Sequence, residues 1–101
     1  MNRYSNKFGF YELMPFPGCN QLVVSNHAFI LPEYRKLGFG QAQHKERLEK
    51  IKELKYNYVV CTVRADNGAE IHILEKHGWK LLDSFFNEET NMMVHIYGRS
   101  V

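Results

Sequence analysis

The stretch that decides the fold is Leu22–Lys55, which reads LVVSNHAFILPEYRKLGFGQAQHKERLEKIKELK. Its residue pattern predicts a strand over Leu22–Leu31, a proline-marked turn, a basic loop with two glycines, and a helix over Gln41–Lys55. The first N–H groups of a helix have no partner within the helix and lie at the positive end of its dipole. A strand that enters a helix through such a loop therefore predicts an anion-binding site.

The loop of residues 35–40, RKLGFG, carries the features that an anion site needs. Gly38 and Gly40 allow the backbone to approach an anion without a Cβ atom in the way, and the first two loop residues add full positive charges. The loop alone leaves open an ordinary tight turn with solvated cations. It is not a P-loop, because no Gly-Lys-Ser/Thr follows, and it is not a dinucleotide fingerprint, because Gln43 replaces the third glycine.

Two blocks of the sequence resemble the GNAT superfamily of N-acetyltransferases. Residues 30–40, ILPEYRKLGFG, resemble the family's coenzyme A-binding motif, a hydrophobic strand followed by Pro-x-Tyr-Arg and by Arg/Gln-x-x-Gly-x-Gly/Ala. Residues 67–79, NGAEIHILEKHGW, are similar to its second block, Asn-x-x-Ala-x-x-x-Tyr-Glu-Lys-x-Gly-Phe. The order and spacing of the blocks agree with the family, and the resemblance runs from Leu22 to the C terminus.

The resemblance implies an acetyl-CoA-dependent N-acetyltransferase that transfers an acetyl group to an amine of a protein or a small molecule. It also implies that the strands Leu22–Leu31 and Tyr58–Arg64 splay apart. The pantetheine arm of coenzyme A would lie in that gap, bound by backbone groups of residues 29–31. The implied cofactor-binding residues are Phe29, Ile30, Leu31, Arg35, Lys36, Leu37, Gly38, Phe39, Gly40, Gln41 and Asn67.

Apolar and β-branched runs predict four further strands. These strands are Phe8–Met14, Tyr58–Arg64, Trp79–Phe86 and Met92–Gly98. A right-handed crossover after the first long strand would place Tyr58–Arg64 parallel to it. The prediction is an α/β (α+β) fold of one domain, residues 1–101, with a GNAT-like mixed central sheet and two helices in the order β-β-α-β-α-β-β.

The first helix has a partial apolar stripe at Ala42, Leu48, Ile51 and Leu54, which predicts its core-facing side. The charged residues on the other side, Arg47 among them, are interpreted as plain solvent surface.

The second helix is predicted to begin at Asn67, which forms a capping box with Glu70, and to end at Gly78 as a left-handed cap. The residues of this helix expected to face the core are Ala69, Ile73 and Leu74.

Composition restricts the class of protein. The chain has 101 residues, 45% hydrophobic and 24% charged, and a formal charge of +2, which is too small to argue for a nucleic-acid binder. No apolar run reaches about 18 residues, so we expect no membrane span. Residues 1–7, MNRYSNK, contain no apolar h-region, so we expect no signal peptide. We expect a cytoplasmic protein in which Cys19 and Cys61 stay reduced. The five histidines and two cysteines show no zinc spacing, so no metal is predicted.

The sequence contains few candidate residues for the proton-transfer step. The resembled family often uses a glutamate on the strand before the loop and a tyrosine on the second helix, and Val24 and Leu74 occupy those positions here. The two catalytic candidates are substitutes. Asn26 shares a strand face with Val24 and would orient a water. His27 has a reference pKa near 6.5, which suits a general base if a bulge turns its side chain to that face.

The chain is short for the resembled family, whose members usually begin with a strand and two helices that shape the acceptor side. The wall of the site on the acceptor side would then come from the N-terminal hairpin predicted for Phe8–Met14 and Leu22–Leu31, from a second copy of the chain, or from the substrate. We therefore expect a homodimer or a macromolecular acceptor. A coenzyme A-binding or interaction module without catalysis is the alternative function, favoured by the missing glutamate and tyrosine.

Overall fold

The computed structural model describes residues 2–101, apart from the side chain of His27, so the catalytic role predicted for His27 lies outside the described residues. The described elements are β1 (Asn2–Asn6), β2 (Gly9–Phe16), β3 (Cys19–Ile30), a 3-10 helix (Pro32–Tyr34), α1 (Phe39–Glu53), β4 (Tyr58–Arg64), α2 (Gly68–Lys76), β5 (Lys80–Asn87) and β6 (Met92–Ser100). The predicted mixed sheet with two helices is confirmed, and β1 precedes the predicted order.

β1 is a polar edge strand that the sequence pattern did not predict. Tyr4 is its only half-buried residue, and the others are exposed. The strand pairs antiparallel with β2 along its whole length, and the Tyr4 ring stacks on Tyr11 with 5.4 Å between the ring centroids. Arg3 also pairs with Glu12 of β2 at 3.0 Å and lies over the Phe10 ring. Strand prediction depends on alternating apolar residues, so a strand held by backbone hydrogen bonds and such polar and aromatic contacts leaves little signal.

The sheet has the order β1-β2-β3-β4-β6-β5, and only β3 and β4 are parallel neighbours among its described strands. Their pairing covers three residues, Leu22–Val24 against Tyr58–Val60. Beyond this point β3 continues along β2, and β4 continues along β6. The two central strands therefore diverge, as the resemblance implies, and leave a gap in the middle of the sheet.

Both helices contribute to one hydrophobic core against the sheet. Ile51 of α1 and Leu74 of α2 are fully buried in a cluster with Val23 of β3 and Val59 of β4. Trp79, which precedes β5, lies in the same cluster. The core therefore ties the two strands together at the end where they are paired, below the gap.

The inward face of α1 differs from the predicted stripe. Its buried residues are Gln43, His44, Arg47 and Ile51. The exposed members of the predicted stripe are Ala42 and Leu54. Arg47 was assigned to the solvent surface but is only 3% exposed. Buried polar side chains need hydrogen-bond partners, and these partners come from other elements, which a helical pattern does not report.

In α2, Leu74 is fully buried in the core and Ile71 is partly buried against it. Ala69 is exposed and Ile73 is half-buried, and both line a cavity between the helices and β3. The core positions predicted for Ala69 and Ile73 are therefore wrong. The helix rotates these two side chains toward the open space beside the core.

The predicted capping box of α2 is formed on one side only. Asn67 is the N-cap residue, and its Oδ1 accepts a hydrogen bond from the Glu70 N–H at 3.2 Å. The Asn67 N–H donates to the Arg64 carbonyl instead of the Glu70 side chain. The Glu70 carboxylate is thus left for another contact, which is made with Arg47.

Neither helix of residues 2–101 is long and apolar enough to cross a membrane. Cys19 is exposed, Cys61 is buried, and both are free thiols. Within the described part of the chain, no three His, Cys, Asp or Glu side chains come together as metal ligands do. The cytoplasmic location stays a prediction.

Replacing Leu74 with alanine should lower the free energy of unfolding by about 2 to 5 kcal/mol, because the side chain is fully buried and its removal leaves a cavity. The matched control is Leu81→Ala on β5, where the leucine is 52% exposed and the loss should stay well under 1 kcal/mol. Urea unfolding of both variants measures the difference, and equal losses would contradict this placement of the core.

Candidate functional site

The basic loop forms the start of α1. Gly38 is the N-cap residue in a left-handed conformation, with φ of +85°, and no described side chain caps this helix end. The first helical hydrogen bond is donated by the Ala42 N–H to the Gly38 carbonyl at 3.2 Å. The N–H groups of Phe39, Gly40 and Gln41 therefore have no partner within the helix. This end of α1 is therefore open, and the binding of an anion there stays a prediction.

The second glycine of the loop has a packing role as well. A Cβ atom at Gly40 would lie 3.3 Å from Cδ1 of Ile73, which is closer than an unstrained contact. Gly40 thus allows the first turn of α1 to approach α2. Gly38 differs, because a Cβ there would meet nothing within 4 Å and its constraint is the positive φ alone.

Arg35 is held beside the helix end by two contacts with β3. Its Nε donates a hydrogen bond to the Ile30 carbonyl at 2.8 Å, and its guanidinium lies 4.9 Å from the centroid of the Phe29 ring. The side chain remains exposed. Its positive charge is therefore positioned at the end of β3, close to the free N–H groups of α1.

Aromatic packing joins the loop to the turn between β1 and β2. The Phe8 ring stacks on Phe39 at 4.0 Å between centroids and meets Tyr34 edge-on at 4.9 Å. Because Phe39 opens α1 and Tyr34 closes the 3-10 helix, this cluster fixes both ends of the loop. Tyr34 and Phe39 therefore both pack in this aromatic cluster.

A cavity of about 570 Å³ opens between β3, the loop and α2. The predicted cofactor residues that line it are Phe29, Ile30, Arg35, Lys36, Gly38, Gly40, Gln41 and Asn67. Leu31, Leu37 and Phe39 are not in its lining, and Leu37 is 66% exposed. The sequence missed Ala28, Gln43, Ala69, Glu70 and Ile73, which also line it.

A β-bulge shapes β3 beside this cavity. Phe10 pairs with Phe29 and Glu12 pairs with Asn26, so residues 27 and 28 together oppose Tyr11. The Gln43 side chain, which is 8% exposed, donates to the carbonyls of Phe10 and Phe29, both at 3.1 Å. Gln43 thus bridges β2 and β3 at the bulge. This contact explains why a long amide occupies the position of a third glycine.

A second cavity of about 410 Å³ lies in the gap between β3 and β4. Asn26, a predicted catalytic residue, lines it together with Ser25, Arg47 and the end of β4. Residues of the β5–β6 hairpin, including Phe85, close another side. The two cavities share the three lining residues Ala28, Asn67 and Glu70, so they meet at the first turn of α2.

A buried polar network lies below the junction of the cavities. The Arg47 guanidinium donates to Ser25 Oγ at 3.2 Å and to Glu70 Oε1 at 3.4 Å. Its Nη2 also lies 2.6 Å from Nδ1 of His44, and Nε2 of His44 accepts a hydrogen bond from the Trp79 indole at 3.1 Å. The network links α1, β3, α2 and the start of β5 through side chains that are far apart in sequence.

His44 stays neutral inside this network. Burial, followed by the nearby Arg47 charge, lowers the pKa of His44 from 6.5 to about 3. Both neighbours of the ring, Arg47 and Trp79, carry only hydrogen-bond donors, so an imidazolium would find no acceptor. His44 is 1% exposed and serves as a structural acceptor.

The residues at the two positions where the family often has its proton carriers cannot transfer a proton in this chain. Leu74 is fully buried in the core, and Val24 lines neither cavity. Asn67 caps α2 and also lines both cavities. The cap is shown, and the cofactor contact of Asn67 stays a prediction.

Solved structures with the same fold were compared with the chain. The acetyltransferase of the GNAT family from Streptococcus pneumoniae superimposes with a TM-score of 0.78 at 19% identity, over 93% of this chain and 59% of the other. The ribosomal-protein-S18-alanine N-acetyltransferase from Escherichia coli gives 0.79 at 15% identity, over 97% and 65%. YncA from Salmonella typhimurium, solved with acetyl-CoA as its cofactor, gives 0.79 at 13% identity, over 92% and 57%.

The chain has the GNAT fold. It spans less than two thirds of the length of each of these three structures. No family model matches the sequence, and no curated protein matches it. The likeness to GNAT acetyltransferases is therefore a likeness of fold.

The lowered pKa of His44 predicts an acid-sensitive fold. The unfolded chain protonates this histidine below pH 6.5 and the folded chain does not, so its contribution is complete above pH 6.5 and is lost as pH falls toward 3. Between pH 7 and pH 5 the loss from this residue should be about 2 kcal/mol.

Urea unfolding at both pH values checks this expectation. His44→Gln keeps an acceptor for Trp79 but does not titrate, so its stability should fall less than that of the native protein between pH 7 and pH 5. His72→Gln, at an exposed position of α2, is the matched control and should behave like the native protein. An unchanged pH dependence in His44→Gln would contradict a neutral buried ring.

Proposed function

We propose that the protein binds an acyl-coenzyme A, most simply acetyl-CoA, in the larger cavity and transfers the acetyl group to an amine. The observation that supports this most is the position of the free helix end. The N–H groups of residues 39–41 and the cations Arg35 and Lys36 stand at one end of a cavity that leads into the gap between β3 and β4. A diphosphate at that end would place an extended arm along β3, toward the second cavity.

The backbone of β3 supports such an arm in part. The Phe29 and Ile30 carbonyls already accept hydrogen bonds from Gln43 and Arg35, and the Leu31 N–H donates to Phe8. A carbonyl oxygen has two lone pairs, so Ile30 keeps one for a ligand, whereas the Phe29 carbonyl faces Gly9 of β2. Contact of the arm with residues 29–31 and with Asn67 is part of this proposal.

Positioning would be the main catalytic contribution. Holding a thioester and an amine in reactive geometry supplies several kcal/mol of the barrier without a covalent intermediate. The amine would enter through the second cavity, where Asn26 would orient it or a water. A lysine side chain costs roughly 4.6 kcal/mol to deprotonate at pH 7, and an α-amine only about 1 kcal/mol. His27 remains a predicted base.

A coenzyme A-binding module without catalysis is the second candidate. Val24 and Leu74 favour it, because neither side chain can carry a proton. Incubation with acetyl-CoA and a mixed panel of amines separates the two functions. Release of free coenzyme A thiol that depends on both protein and amine supports the transferase, and its absence despite cofactor binding supports the module.

The acceptor wall would be completed by a second copy of the chain or by a protein acceptor. Phe85, Phe86 and Met93 on the β5–β6 hairpin are each more than 40% exposed, and Phe85 lines the second cavity. Apolar surface of this kind beside a site is typical of an interface. Sedimentation at micromolar concentration tests the homodimer, and a purely monomeric profile would remove it.

Gly38→Val should abolish coenzyme A binding if the loop holds the diphosphate, because a β-branched residue is strained at φ of +85°. Ligand at one hundred times its Kd adds about 2.7 kcal/mol to stability. For a domain of this size the melting temperature should then rise by roughly 10 °C or more.

Gly18→Val is the matched control for this measurement. Gly18 lies in the β2–β3 turn at φ of +82°, so valine brings the same strain outside the cavity lining. Both variants should melt below the native protein, but only Gly38→Val should lose the rise with coenzyme A. A rise retained in Gly38→Val would count against the loop as the diphosphate site.

A further inference from the structure

Glu70 occupies the point where the two cavities meet. It lies in the first turn of α2, and it lines both the larger cavity and the cavity in the strand gap. The other shared residues are Ala28 and Asn67, whose side chains do not take up protons at neutral pH. Among the described residues that line both cavities, Glu70 therefore has the one titratable side chain.

The ionisable groups of the cavity linings point to the same residue. The described linings contain the cations Arg35, Lys36, Arg47 and Arg64, together with Cys61 and Glu70. Burial raises the pKa of the Cys61 thiol to about 12, so it does not serve as a base at neutral pH. Among the described lining residues, Glu70 is the only side chain that is a carboxylate.

The Arg47 guanidinium fixes the orientation of the Glu70 side chain. Its Oε1 lies 3.4 Å from Nη2 of Arg47, and the side chains of Arg47 and Glu70 are 4% and 27% exposed. Arg47 is in turn held by Ser25 of β3 at 3.2 Å. None of the described side chains hydrogen-bonds the other oxygen, Oε2. One oxygen is thus anchored to the buried arginine, and the second is left for a ligand.

We propose that Glu70 is the catalytic residue that accepts the proton of the incoming ammonium group. This inference rests on the proposed function and names Glu70, instead of His27, as its base. Glu70 takes one proton from the ammonium, and the neutral nitrogen attacks the thioester carbonyl carbon. As the new C–N bond forms and the C–S bond breaks, the second nitrogen proton passes to the thiolate sulfur. The products are the acetamide and the coenzyme A thiol, and Glu70 returns its proton to water.

The role differs from that of the residues already described. Asn26 and Asn67 only orient groups, and Arg47 positions Glu70 without touching the reacting atoms. An acceptor that is uncharged at neutral pH has no proton to give up before attack, so it does not need Glu70. An alkylammonium acceptor has to lose a proton before attack, so it needs Glu70. This difference separates a base from a residue that merely holds α2 in place.

The test compares benzylamine, which is charged at pH 7, with aniline, which is uncharged, in acetyl-CoA-dependent thiol release. Glu70→Gln keeps an oxygen for Arg47, and the helix cap is unaffected because Asn67 bonds the backbone N–H of residue 70. The variant should lower kcat/KM for benzylamine by roughly 100-fold or more and for aniline by less than about 3-fold. Glu70→Asp should recover part of the loss.

Glu49→Gln, at an exposed glutamate of α1, is the isosteric control and should match the native protein with both amines. All variants should keep the rise in melting temperature with coenzyme A. Equal losses for benzylamine and aniline, or no loss for either, would overturn the assignment of Glu70 while leaving the transferase intact. No turnover of these two amines, or of any amine in the mixed panel, by the native protein would overturn the transferase and this assignment together.

Discussion

β3 and β4 pair over three residues and then separate, and the candidate site exists because they do so. A parallel pair inside a sheet satisfies the backbone groups of both strands, so an early separation leaves N–H and C=O groups facing a gap. On the β3 side, the Arg35 guanidinium compensates in part by donating a hydrogen bond to the Ile30 carbonyl. An extended ligand arm in the gap would take the place of the missing strand contacts.

The network around Arg47 explains how such a gap stays open in a small domain. A buried cation is tolerated only when hydrogen bonds and an opposite charge compensate its loss of water. Ser25 of β3 provides a hydrogen bond and Glu70 of α2 the opposite charge, and both residues line the cavity in the gap. The same contacts that allow Arg47 to be buried therefore fix the distance between β3 and α2. Stability and the shape of the site depend on one set of side chains.

The sequence predicts most of the architecture, because strands with apolar runs and helices with caps leave local signals. Gly38 and Asn67 are examples, since a left-handed residue and an N-cap are decided by neighbours in the chain. β1 left no such signal, because backbone pairing holds it. Arg47 and Glu70 were misread, as solvent surface and as half of a capping box. Their roles come from a contact across 23 residues, which no local pattern contains.

We propose that the open end of α1 and the gap beside β3 together form one acyl-coenzyme A site. A crystal structure of the protein grown with coenzyme A tests it most directly. We expect diphosphate oxygens within about 3.2 Å of the N–H groups of residues 39–41 and the pantetheine arm between β3 and β4. A diphosphate bound elsewhere, or an empty gap at saturating coenzyme A, would contradict it.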